Sequence, residues 1–127
     1  MSLSSALWTS TGIIHCLIGA AIPELREPLM RVIVEGTVQT SDMADRYERE
    51  ATVWFQVAGF LMIFQGYAWK QYIQETRKEE LPRWWGWSLT LLGGVGVKMM
   101  PQSGFWLVLA QGLRILYRSG DSTKKIK

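Results

Sequence analysis

The chain holds one histidine and one cysteine in 127 residues, and both scarcities narrow its chemistry. A single thiol, Cys16, excludes an intramolecular disulfide and leaves the redox compartment open. One imidazole, His15, does not build a metal centre alone, and no carboxylate falls inside the apolar runs, so neither metal nor cofactor is expected. The glycines of Gly93-Gly94-Val95-Gly96 sit within an apolar run and lack the strand–turn–helix setting of a phosphate loop. Fourteen Lys and Arg against eleven Asp and Glu leave a net charge of only +3, spread over the edges of apolar runs. That is no footprint for a nucleic acid.

The more telling absence is of charge over long distances. Residues 1–23, 51–69, 84–97 and 99–113 carry no charged side chain. The mean hydropathy of +0.04 therefore averages two unlike populations. An amphipathic helix on a soluble protein shows a charge every turn or so on its wet face. A spanning helix instead needs about 20 apolar residues to cross roughly 30 Å of hydrocarbon. Leu3–Pro23 and Ala51–Trp69 meet that length. The other two runs, of 14 and 15 residues, must recruit Arg83, Lys98 and Arg114, whose long stems can snorkel. The expected fold is all-α, a four-transmembrane-helix bundle in a membrane domain 1–120, with an interfacial helix in the first loop. Its spans are 3–23, 50–71, 83–100 and 103–119, and a basic cytoplasmic tail occupies 121–127. A soluble bundle with two buried helices is the rival. So is a cleaved leader ending near Gly19-Ala20-Ala21, although no Lys or Arg precedes it.

Tryptophan supports the bilayer. All seven, Trp8, Trp54, Trp69, Trp84, Trp85, Trp87 and Trp106, fall near ends of uncharged runs, where amphipathic rings gather at headgroup level. Four spans put the N-terminus, the 70–83 loop and the tail on one side. That side holds eight Lys and Arg and the other five, which makes the first cytoplasmic. The tail's Lys124-Lys125-Ile126-Lys127 resembles a dilysine retrieval signal, which implies residence in the endoplasmic reticulum.

Within the first loop, Leu25, Leu29, Val32 and Ile33 recur at helical spacing over Glu24–Gln39, with Arg31 and Glu35 one turn apart and expected to pair. Thr40-Ser41-Asp42 should cap a long helix running to about Glu80, with Pro82 as its stop. Met100-Pro101-Gln102-Ser103-Gly104 is a tight turn that makes the last two helices antiparallel neighbours. Small residues recur every seventh position, as Ser5, Gly12, Gly19 and as Thr52, Gly59, Gly66. Close packing of the first and second spans along these stripes is expected.

The polar residues inside the spans carry the candidate site: His15, Gln56, Gln65, Gln111 and Arg114. At ~1.5 Å per residue, His15 and Gln111 lie roughly 12 Å, and Gln56 about 8 Å, below the non-cytoplasmic surface. An intramembrane ionisable group usually faces the protein interior. A cluster of His15, Gln56 and Gln111 with Arg114 beneath, bordered by Trp8 and Trp54, is the expected site, with His15 as its acid–base. The bland alternative is interhelical hydrogen bonding for stability, worth roughly 0.6 kcal/mol a bond.

Gly12-Ile13-Ile14-His15, Trp54-Phe55-x3-Gly59-x6-Gly66, Leu81-Pro82-x3-Gly86 and Met100-Pro101-x-Ser103-Gly104-Phe105-Trp106 together span most of the chain. They resemble an uncharacterised family of small four-helix integral membrane proteins of bacteria and fungi. The resemblance implies the fold and no activity. Fungal relatives lie among secondary-metabolite genes, which implies a lipophilic biosynthetic intermediate as ligand. The functional expectation is a multi-pass membrane protein that binds or processes a lipophilic small molecule, its partners being the bilayer, that molecule and a second copy of the chain. The alternatives are a membrane isomerase or cyclase acting through His15, and a small dimeric exporter. The exporter class relies on a carboxylate in the first helix, and none is present.

Overall fold

The computed structural model describes residues 2–124, and among them every regular element is a helix. The dilysine tail lies outside the described residues except for the backbone of Lys124. There are five helices: α1 (Leu3–Ala21), α2 (Pro23–Glu35), α3 (Met43–Thr76), α4 (Arg83–Met99) and α5 (Phe105–Lys124). Two of them, α1 and α3, are long and apolar enough to cross a membrane.

Local chemistry sets the breaks. Pro23 holds Ile22 in an extended conformation (φ −72°, ψ 123°), which ends α1, and then serves as the first residue of α2, where its missing N–H costs nothing. Gly36 closes α2 in the left-handed region (φ 70°), with its N–H on the Val32 carbonyl at 2.8 Å. Asp42 caps α3 as expected: its Oδ1 accepts the Ala44 N–H at 3.0 Å. The far end of α3 differs from expectation. The helix stops at Thr76, with Arg77 in the left-handed region (φ 53°), well before Pro82. The Arg77-Lys78-Glu79-Glu80 run therefore forms a loop.

By its contacts the chain divides into two compact units, Thr9–Gln65 and Met1–Trp8 with Gly66–Lys127. In the first unit α1 packs antiparallel on α3. A methyl group added to Gly12 would stand 2.7 Å from the Gly59 carbonyl oxygen, so only glycine admits this approach. All six residues of the period-seven stripes, Ser5, Gly12, Gly19, Thr52, Gly59 and Gly66, are buried. Beyond the bend at Ile22, α2 docks antiparallel on the first turns of the same α3. There the Thr52 hydroxyl donates to the Leu25 carbonyl at 2.7 Å.

The expected Arg31–Glu35 pair within α2 does not form. Arg31 reaches Asp45 at 3.0 Å and Glu48 at 3.2 Å on α3, while Glu35 is taken by Arg49 at 2.6 Å. Arg49, 3% exposed, also holds Asp45 at 2.8 Å. A fork-to-carboxylate grip across two helices outcompetes a single-turn surface pair. The hydrogen bond from Arg49 keeps the Glu35 carboxyl below its ordinary pKa, and Glu35 in turn raises Arg49.

In the second unit α4 and α5 form the expected antiparallel hairpin. Gly86 faces Leu116, Gly112 faces Thr90, Gly93 faces Leu109 and Gly96 faces Phe105. The turn is closed by Ser103 N–H on the Met100 carbonyl at 3.0 Å and by the Trp106 indole N–H on the Pro101 carbonyl at 2.9 Å.

Candidate functional site

His15 lies on α1 one turn after Gly12, beside α3. Its ring stacks on Phe55 with centroids 3.8 Å apart, and its Nε2 lies 3.1 Å from the Phe55 carbonyl oxygen. With Nε2 protonated, that is a side-chain bond to a helix backbone. Gln56 does likewise, donating from Nε2 to the Cys16 carbonyl at 3.3 Å. His15 and Gln56 thus meet at one α1–α3 crossing, each bonded to the opposite helix's backbone. Such bonds lock register. They supply no free base beside a free acid.

A prediction follows from this geometry. His15→Leu should cost roughly 1 kcal/mol, and His15→Gln less, because an amide can still donate to the Phe55 carbonyl. Reversible unfolding in mixed micelles measures both. Equal stability for His15→Leu and the parent chain would mean that the bond contributes nothing.

Gln111 and Arg114 belong to the other unit, where they share one face of α5 with Val108 and Ile115. Gln111 is 8% exposed. Arg114 donates from Nη1 to the Ser4 hydroxyl and to Glu80 Oε2, the latter at 3.3 Å. The Glu80 side chain is 7% exposed and that of Arg114 23%. A carboxylate from the 77–82 loop and a guanidinium from α5 are thus drawn together beside the first turn of α1.

Aromatic rings surround the charge pair's neighbourhood. Trp8 follows Ser4 by one turn of α1 and is buried, with its ring 5.3 Å from that of Trp69 on α3. Trp69 meets Trp85 of α4 edge-on at 5.0 Å, and Trp85 stacks on Trp84 at 4.3 Å. Trp8 and Trp69 are therefore interior residues, whereas Trp54, Trp84, Trp87 and Trp106 are all more than half exposed. Trp54 is 69% exposed on α3.

The structure therefore brings Trp8 and Arg114 to one corner, and it adds Ser4, Trp69, Glu80 and Trp85. The sequence carried a signal for Glu80. It is a carboxylate next to the Leu81-Pro82 break, and Arg114 is a cation inside an apolar run with no carboxylate of its own. Trp69 and Trp85 had been read as headgroup anchors because ring burial is a tertiary property. A model of a family of unknown function (DUF6463) matches residues 2–122. No curated protein and no solved structure matches the chain.

Proposed function

Since the chain belongs to DUF6463, whose function is unknown, its role has to be read from its own residues, and we propose a four-span integral membrane protein that binds a lipophilic small molecule. The binding corner is formed by Ser4, Trp8, Trp69, Glu80, Trp85 and Arg114. The observation that carries this is the Arg114–Glu80 pair, held among tryptophans at the end of apolar helices. An ionisable cluster in such a position is expensive for a membrane protein and marks a site of action.

The membrane part rests on where apolar surface lies. Only 28% of the apolar window of α1 and 17% of that of α3 is buried, the reverse of a soluble protein's core helix. Large apolar side chains stand exposed on α4 (Trp87, Leu91, Leu92, Val95) and α5 (Trp106, Leu107, Leu113, Tyr117) as well. Apolar surface of that extent supports a lipid surrounding. At ~1.5 Å per residue α4 reaches about 25 Å, so Lys98 snorkels at one end. α2, tied by ion pairs to the first turns of α3, sits at the headgroup level where that helix begins. Binding is favoured over catalysis because both polar groups at the α1–α3 crossing are engaged with backbone carbonyls.

Labelling in sealed membranes tests the topology. In a Cys16→Ser background, single cysteines at Gln39 and Gln102 should react from one face and a cysteine at Lys78 only from the other. Release of the protein by carbonate at high pH would overturn the membrane reading. Labelling of positions 78 and 102 from the same face would reduce α4–α5 to a re-entrant hairpin.

A further inference from the structure

We propose that the corner around Trp69 and Arg114 takes the oxygen end of an uncharged lipophile, a carbonyl or hydroxyl group on an apolar body. The inference rests on the binding reading above and names its ligand class.

The first observation is a donor without an acceptor. Trp69 is 4% exposed, and its indole Nε1 is buried with no hydrogen-bond partner among the described residues. An indole N–H only donates, and leaving it unmade in a low-dielectric interior is costly, so an acceptor oxygen belongs there. The second observation is independent of the first. Among the described residues Arg114 bonds to Ser4 and Glu80, both from Nη1, which leaves the Nη2 edge of its planar fork for a further acceptor. Trp69 and Arg114 are linked through the chain on both flanks. Trp8, packed on Trp69, is one turn from Ser4. Trp85, also packed on Trp69, follows closely on the Glu80-Leu81-Pro82 segment.

Charge decides the class of oxygen. The cation of Arg114 is already matched by the Glu80 carboxylate. A bound carboxylate or phosphate would bring a second anion beside Glu80, and an amine would face Arg114. Both would lose water without gaining a counter-charge. A neutral carbonyl or hydroxyl accepts from the Trp69 indole with no such penalty. The faces of Trp8, Trp69 and Trp85 supply apolar, polarisable surface for the body of the molecule.

Three probes of equal chain length separate the possibilities: undecan-2-one, undecane and undecanoate. The full chain in lipid nanodiscs is titrated with each, and the unfolding midpoint is followed. The ketone should stabilise at about ten-fold lower concentration than the alkane, the scale of one hydrogen bond. Trp69→Phe keeps the ring and removes the donor, so it should abolish that preference. Trp106→Phe should not, because its indole is bonded to the Pro101 carbonyl at the turn. Each variant's helical content and its midpoint without probe confirm that it has folded. Equal half-effects for all three probes would overturn the ligand class while leaving lipophile binding intact. Undecanoate as the tightest probe would also overturn it, in favour of an anion at Arg114. A ketone preference that survives Trp69→Phe would overturn the assignment to this corner. No stabilisation by any probe would overturn the binding reading itself.

Discussion

Glu80→Ala is expected to lower the stability of the folded chain by about 3 kcal/mol, because it strands the guanidinium of Arg114, whose ion-pair partner among the described residues is Glu80. The figure sits at the low end for a broken buried pair, since the Arg114 side chain is 23% exposed and keeps some access to headgroups and water. Glu80→Gln should cost less, as the amide oxygen still accepts from Nη1. Glu79→Ala next door, at an exposed position, should be neutral. Adding Arg114→Leu to Glu80→Ala should recover part of the loss, because the damage is an unpaired charge rather than missing volume. Reversible denaturation in mixed micelles reads all four. A Glu80→Ala loss no larger than that of Glu79→Ala would show that the pair does not hold this end together.

Gly93→Ala should cost about 2 kcal/mol, while its neighbour Gly94→Ala should be neutral or gain up to ~1 kcal/mol from helix propensity. A methyl at position 93 would stand 2.5 Å from the Leu109 backbone nitrogen and 2.6 Å from its Cα. Backbone cannot swing aside as a side-chain tip can, so α4 and α5 must part along the seam. At position 94 a methyl meets nothing within 4 Å. Unfolding of the two variants side by side is the measurement, with parent chain as reference. If Gly93→Ala is as stable as Gly94→Ala, the two helices do not approach as described.

The hairpin seam shows how much could be read in advance. Gly86 and Gly93 repeat at the same interval of seven that marked Gly12–Gly19 and Gly59–Gly66. Only the first two helices were read that way, although the physical reason is common to all of them: small residues let backbones touch. The cap at Asp42 was legible because it is local, its Oδ1 acting two residues on. The end of α2 was not: the expected helix over Glu24–Gln39 stops at Glu35, where Gly36 turns left-handed. The stop of α3 was misplaced at Pro82, since nothing local marks Arg77 as a left-handed residue.

The candidate site divided along the same line. His15 and Gln56 are legible as polar groups in apolar runs, and both sit at the α1–α3 crossing. Their partners, the carbonyls of Phe55 and Cys16, are backbone atoms, which no sequence pattern advertises. Gln111 and Arg114 fall in a different compact unit from those two, and equal depth along separate helices did not reveal this. Arg31 and Glu35 illustrate the competition most clearly. Spacing allowed them to pair, and the charges of α3 took both.

The sequence by itself determined the helical class, the cap at Asp42, the Met100–Gly104 turn, and the small-residue faces on which α1 and α3 meet. Those follow from periodicity, φ restriction and steric size, which act over a few residues. Tertiary structure alone decided which tryptophans are interior, which carboxylate neutralises Arg114, and that His15 spends its ring nitrogen on a backbone carbonyl. Each of those outcomes depends on the contents of a neighbouring helix at the same height. That alignment is set by the register of packed backbones, a quantity that no single segment carries.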